Sequence, residues 1–264
     1  MEGDQFNEDL FSDQSKSKVT RRNPMLSPLA TLEEYKRLRD SRVEILRKKD
    51  RNNIFKRKRL IEDIKEDEPE IGPPIPSNIE AQEEVKPISI ANLPEVVKEF
   101  NSADSNICFT GLNKLRRLLA STGTIPIQQI LDTGVLQRMI ELLKEHDKPL
   151  IQLEAAWCIT NIATGDKTHI MAILNKGGLM PILELLKSSN MKIQEQAVWT
   201  LGNIAGEDEE LRDVVLETEA LESVVEILNR TKIYLTMKTC LWCLLNLCRG
   251  KPLPSFNKVE PVDF

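Results

Sequence analysis

The feature that most constrains the fold of this chain is a tryptophan–asparagine pair that recurs three times. Successive tryptophans lie 42 and then 43 residues apart, and an asparagine follows each one four positions later. The pairs are Trp157 with Asn161, Trp199 with Asn203, and Trp242 with Asn246. A shorter amphipathic run precedes each pair. A period of this length, built from helical segments, indicates structural repeats that stack in a row.

The periodic region extends from about residue 91 to residue 250. Leucine, isoleucine and valine recur there at helical spacing, and glycines such as Gly134 and Gly177 fall mainly between the runs. A diverged unit over 94–133 has Asn113 and Arg117 at the tryptophan and asparagine positions. We therefore predict an all-α fold, an α-solenoid of the armadillo and HEAT class with about four repeats.

The segment before the repeats is strongly basic, although the whole chain has a formal net charge of −5. Between Tyr35 and Arg59, 12 basic residues accompany three acidic ones. Residues 31–64 contain neither glycine nor proline and begin with a capping-box pattern at Thr31 and Glu34. These features predict a basic helix that is tethered to an acidic body and has an acidic partner.

The remaining segments have the composition of connections and tails. Residues 1–30 are polar and without periodicity, which predicts disorder. Residues 65–90 are acidic and rich in proline, which predicts an extended linker. The predicted organisation is a disordered N-terminus at 1–30, a basic helix at 31–64, a linker at 65–90, armadillo repeats at 91–250 and a proline-rich tail at 251–264.

Composition argues against several functional classes. No apolar run reaches the roughly 18–20 residues of a membrane span, and the acidic N-terminus lacks the pattern of a secretory signal. Five cysteines, an odd number, indicate reduced thiols. Cys240, Cys243 and Cys248 have no histidine nearby in sequence to complete a zinc site, so we predict that they are buried small side chains. No nucleophile motif or phosphate loop is present, and we predict no metal, no cofactor and no enzyme activity.

The tryptophan–asparagine pair can be structural or functional. Residues four apart share one face of a helix, so the pairs project together along one side of a stacked array. In the structural interpretation, tryptophan packs in the core and asparagine ends a helix. In the functional interpretation, carboxamides bond to the backbone of an extended peptide, and neighbouring indoles accept Lys or Arg side chains. Three repetitions at matched register favour the functional interpretation.

Two stretches resemble the importin-α (karyopherin-α) family: the run Glu195–Gly206, and Trp242 to Lys251. The arm Leu46–Arg59 resembles that family's importin-β-binding segment, with spacing about one residue shorter. The resemblance implies an adaptor, present in both cytoplasm and nucleus, that binds the Lys/Arg-rich nuclear localisation signals of cargo and recruits importin-β. The family has about ten repeats, so this chain resembles a truncated member.

The resemblance also assigns residues. Trp157, Trp199 and Trp242 would be the walls of side-chain slots, and Asn161, Asn203 and Asn246 would bind the cargo backbone, with Gln196 lining the same groove. Gly165, Thr168 and Glu207 would form the pocket for a key cargo lysine, where the family has aspartate in place of Glu207. The residues implied to bind importin-β, and to occupy the chain's own groove without it, are Arg37, Arg39, Arg42, Arg47, Lys48, Lys49, Arg51, Lys56, Arg57, Lys58 and Arg59.

Alternative functions remain open at this point. The repeats could form a structural armadillo scaffold, or a truncated decoy that binds cargo without completing transport. A nucleic-acid-binding arm is disfavoured because it has few interleaved aromatics beyond Tyr35 and Phe55, and because the acidic body would repel phosphate. We predict no direct binding of nucleic acid and no insertion into membranes.

Overall fold

The computed structural model describes residues 88–121 and 125–259. Within these ranges the chain forms eleven α-helices and two short 3-10 turns, Ile90–Asn92 and Phe256–Lys258, and it contains no strand. The helices are α1 (Leu93–Phe100), α2 (Ser105–Leu119), α3 (Ile127–Asp132), α4 (Leu136–Leu142), α5 (Pro149–Ile162), α6 (Lys167–Asn175), α7 (Leu179–Leu185), α8 (Met191–Ala205), α9 (Glu209–Leu216), α10 (Ala220–Arg230) and α11 (Tyr234–Leu247). None of these described helices is long and apolar enough to cross a membrane.

The helices repeat as units of three. Each unit from α3 onward has a short first helix, a second helix, and a long third helix that includes a tryptophan–asparagine pair. The long helices α2, α5, α8 and α11 pack side by side in that order. This is the all-α repeat fold that the period predicted.

The sequence pattern missed one helix in each unit. The first helices α3, α6 and α9 have 6, 9 and 8 residues, and α3 and α6 bury only two apolar residues each, which gives them little apolar periodicity. Two of them begin at aspartate caps: Asp166 accepts hydrogen bonds from the backbone N–H groups of Thr168 and His169, and Asp208 accepts one from Leu211. Capping of this kind starts a short helix without a long apolar face.

Two glycines make the turns into the second helices. Gly134 and Gly177 have φ angles of 79° and 73°, in the left-handed region that strains residues with a Cβ atom. They precede α4 and α7, at the joints where the sequence placed them.

Tail residues 250–259 are held against α9. The guanidinium of Arg212, with a side chain only 1% exposed, donates to the carbonyl oxygens of Arg249 and Pro252 over 2.7 and 2.9 Å. Lys258 forms an ion pair with Glu217. These contacts hold the proline-rich segment in place. Its composition alone does not predict this order.

The outer face of α11 remains exposed. Met237, Leu241 and Leu245 are 37%, 55% and 59% exposed. The residues at the same positions of α8, which α11 packs against, are all buried: Gln194, Val198 and Gly202. The exposed stripe on α11 therefore matches the surface that one long helix presents to the next.

The cysteines only partly follow the expectation that they are buried. Cys240 and Cys243 are buried, whereas Cys248, the C-cap residue that follows α11, is exposed. Desolvation raises the pKa of Cys240 to about 11 and raises that of Cys158 well above its usual range. Among the described residues no group of three or more metal-binding side chains comes together.

Candidate functional site

The three tryptophan–asparagine pairs lie on the long helices α5, α8 and α11. In each pair the two residues are one helical turn apart and so lie on the same side of their helix. Because α5 packs against α8 and α8 packs against α11, the pairs form a row, which we call the Trp–Asn row. The structure therefore assembles these six predicted site residues from segments about 42 residues apart.

The asparagines of the row connect neighbouring helices. The amide nitrogen of Asn246 donates to the carbonyl oxygen of Gly202 over 2.8 Å. In the same way Asn203 Nδ2 donates to the carbonyl oxygen of Thr160 over 3.4 Å. Each amide thus binds the backbone of the preceding repeat, just before that repeat's own asparagine. This contact gives the asparagines a structural role that the sequence did not reveal.

The same row contains polar atoms that have no partner. The unpaired atoms are Asn161 Nδ2, Gln196 Oε1, Asn203 Oδ1 and Asn246 Oδ1. Within the described ranges, these are the only buried side-chain nitrogen or oxygen atoms that lack a hydrogen bond. All four belong to residues that the sequence assigned to cargo binding. A buried donor or acceptor left unpaired costs about 1–3 kcal/mol, so four such atoms close together call for a functional explanation.

The division of these atoms is chemically specific. Asn203 and Asn246 each use an amide N–H within the protein and leave the acceptor Oδ1 unpaired, and Gln196 likewise leaves the acceptor Oε1 unpaired. Asn161 leaves a donor. The row can therefore accept hydrogen bonds from peptide N–H groups along α8 and α11, and it can donate one to a carbonyl oxygen at α5.

The tryptophans differ in their surroundings. Trp199 is 5% exposed, and Trp157 and Trp242 are partly exposed. The Trp242 ring lies against α8 at Gly202, where an added Cβ would come within 2.3 Å of the ring atom Cζ3. A glycine at this position allows the indole to approach the backbone of the neighbouring helix closely.

The residues of the predicted lysine pocket lie near the ends of α5 and α8 and in the first turn of α6. Gly165 lies in the turn after α5, and an added Cβ there would meet the His169 ring at 2.3 Å. Asp166 caps α6, and Thr168 lies in the first turn of that helix, where it is exposed. Glu207 comes after Gly206, the C-cap residue of α8.

An ion-pair cluster beside this region was not predicted. Lys167 Nζ lies 2.8 Å from Asp208 Oδ2 and also contacts Glu210, which connects α6 to the first turn of α9. The hydrogen bonds that Lys167 donates to Asp208 and Glu210 raise its pKa. Partial burial works to raise the pKa of Asp208, but the hydrogen bonds from Lys167 and from the Leu211 backbone outweigh it, so that pKa is lowered. No sequence signal connects residues 41 positions apart in this way.

The basic residues from Arg37 to Arg59 lie outside the described residues, as do the predicted N-terminal segment, basic helix and most of the linker. The assignments of importin-β binding and of groove occupancy to these residues stay predictions.

Comparisons with known proteins agree with the fold. Residues 124–164 and 166–206 match the armadillo/beta-catenin-like repeat family. The chain is 32% identical to importin subunit alpha-2 of Arabidopsis thaliana over 244 residues, which are 92% of this chain and 44% of that protein. It is 40% identical to importin subunit alpha-B of Dictyostelium discoideum over 173 residues, 65% of this chain and 34% of that protein. The chain thus spans less than half the length of these relatives.

A solved structure is also similar. It is the designed armadillo repeat protein YIII(Dq.V1)4CPAF in complex with peptide (KR)4, at 30% identity and a TM-score of 0.55. The similarity covers 60% of this chain and 65% of that one.

Proposed function

Because the chain belongs to the armadillo-repeat proteins and is related over most of its length to importin α subunits, we propose that it is a non-enzymatic adaptor for nuclear import. In this proposal the Trp–Asn row binds Lys/Arg-rich signal peptides of cargo proteins, and the basic segment Tyr35–Arg59 recruits importin-β. The adaptor would accordingly shuttle between cytoplasm and nucleus. The relatives' names support the transport role, and the similar designed protein was solved with a Lys/Arg peptide.

The observation that carries the proposal is the set of unpaired buried atoms. A folded chain rarely leaves buried polar atoms without a partner, and here all those found in the described residues lie along one row. An extended peptide presents N–H and C=O groups at regular intervals, which matches acceptors on two successive helices and a donor on a third. The asparagines are 0–2% exposed, so a peptide reaches them only when the side chains above them move aside.

A structural scaffold is the competing function. It is favoured by the bonds from Asn203 and Asn246 to the neighbouring backbone, which hold successive repeats together. A scaffold role explains the amide nitrogens but leaves the oxygens of the same two residues without a purpose. A bound peptide would give these oxygens a donor, while the nitrogens keep their bonds to the neighbouring repeat.

The test of peptide binding is a titration of the full chain with fluorescein-labelled (KR)4, followed by fluorescence anisotropy. We expect saturable binding that weakens as salt rises, because exposed charges are screened beyond about 8–10 Å. A labelled (DE)4 peptide of equal length is the control and should not bind. If the two peptides bind equally, or (KR)4 fails to bind, the scaffold function is the better account.

The test of importin-β recruitment uses the charge of the arm. The variant in which Lys56, Arg57, Lys58 and Arg59 are all alanine should lose most of its affinity for purified importin-β, since charge attraction drives the association. The matched control changes four other basic residues to alanine: Lys16, Lys18, Arg21 and Arg22. Equal losses in the two variants would show that overall charge, and not the arm, determines binding.

A further inference from the structure

One side chain of the protein already occupies an indole face at the α2 end of the row. The guanidinium carbon of Arg116 lies 4.5 Å from the centre of the Trp157 ring, a cation–π arrangement. Arg116 Nε also donates to Glu154 Oε2 over 2.6 Å. Glu154 precedes Trp157 by three residues on α5, so the carboxylate and the ring share a helix face and hold the guanidinium between them.

This contact is largely withdrawn from solvent. The side chains of Arg116 and Glu154 are 20% and 12% exposed. Because the carboxylate neutralises the guanidinium, the Arg116–Glu154 pair adds little net charge to the α2 end of the row. A partly buried, bonded pair of this kind is also held in place better than a pair on the open surface.

The corresponding positions of α5 and α8 hold small residues. With Arg117 aligned to the asparagine position, Arg116 corresponds to Thr160 in α5 and to Gly202 in α8. At Gly202 the neighbouring indole, Trp242, lies directly on the helix. Among the described residues, no cation lies over the Trp242 ring. The ring of Trp157, next to α2, therefore has a guanidinium of the protein over one face, whereas no cation of the described residues covers the ring of Trp242, next to α8.

We infer that Arg116, held by Glu154, fills the outermost side-chain slot of the groove and so determines where the basic run of a bound peptide ends. This inference rests on the proposed peptide-binding function. A peptide Lys or Arg at this end would need the ring face that Arg116 covers, and its charge would meet another positive charge. The groove then selects basic side chains only from Trp157 toward α11, and a peptide residue over α2 gains nothing from being basic.

The test compares two double variants of the full chain. Arg116→Ala with Glu154→Gln empties the slot without leaving an unpaired carboxylate. Arg116→Met with Glu154→Gln removes the same charges but keeps the slot filled with a side chain of similar length. Arg116→Thr, the residue at the matching position of α5, takes the place of alanine if the first variant does not fold. The probes are the labelled peptides AKRKRA, KKRKRA and AKRKRK, which place the additional lysine at either end.

For each lysine-extended peptide, the gain is its affinity divided by the affinity of AKRKRA for the same protein. In the alanine variant, the gain of one of the two peptides should be about 2- to 30-fold larger than in the unmodified chain. The methionine variant should show the same gain as the unmodified chain. An equal increase of the gain in both variants would overturn the inference, because loss of charge alone would explain it. The absence of any increase in the alanine variant would also overturn it. If AKRKRA binds to no form of the protein, the proposed function itself fails and the inference fails with it.

Discussion

Replacing Asn203 and Asn246 together with alanine should weaken the binding of (KR)4 about 30- to 150-fold. The two changes remove the acceptors Oδ1 that the row leaves unpaired on α8 and α11. A hydrogen bond lost to a ligand costs about 1–1.5 kcal/mol, and two such losses give about 2–3 kcal/mol, where each 1.4 kcal/mol corresponds to a factor of ten. Fluorescence anisotropy with the labelled peptide measures the change directly.

The same substitutions also remove two bonds between repeats, so stability needs a matched control. Asn190→Ala changes the same residue type at the other end of α8, where the side chain caps the helix by accepting from the Lys192 N–H. It should lower the free energy of unfolding by about 0.5–2 kcal/mol and leave the affinity for (KR)4 unchanged. If the double variant unfolds like the control but binds the peptide normally, the asparagines of the row are structural only.

Gly202→Ala should lower the free energy of unfolding by about 1–3 kcal/mol, although alanine normally favours a helix over glycine by about 1 kcal/mol. The reason is the Trp242 ring, which lies within 2.3 Å of the place that the new methyl group would occupy. The ring must move away from α8, and this displacement should also weaken the binding of (KR)4. Thermal and urea unfolding followed by circular dichroism measures the first effect.

The effect of Gly202→Ala should change sign when the ring is absent. In a Trp242→Ala background, the methyl group at position 202 meets no indole, and the intrinsic preference of the helix for alanine remains. The substitution should then raise stability by up to about 1 kcal/mol relative to Trp242→Ala alone. A loss of the same size in both backgrounds would mean that the close contact at Gly202 is not with Trp242.

The repeats were predictable because their signal is periodic. Three tryptophan–asparagine pairs at matched register define the long helices α5, α8 and α11, and glycines at left-handed positions mark the joints. The first helices were not predictable from apolar spacing, since α3 and α6 bury only two apolar residues each and aspartate caps begin α6 and α9. The proline-rich tail was likewise unpredictable, because its order depends on the buried Arg212 of α9.

The candidate site could be predicted as a set of residues but not as a set of bonds. Spacing placed the asparagines on one side of the array, and the resemblance to the importin-α family added Gln196. It could not show which half of each carboxamide is used within the protein, because that depends on the offset between packed helices. The contact of Arg116 with Glu154 joins residues 38 positions apart, and nothing in either local sequence indicates the other.

The most direct test of the groove is a titration of the 15N-labelled full chain with (KR)4, observed through the indole N–H resonances. The chain has only three tryptophans, and all three lie in the row, so three cross-peaks report on the site. We predict that the Trp199 and Trp242 resonances shift saturably with the affinity found by anisotropy, and that the Trp157 resonance shifts less because Arg116 covers one face of its ring. Saturable binding of the peptide with all three indole resonances unchanged would place the peptide elsewhere and contradict the account.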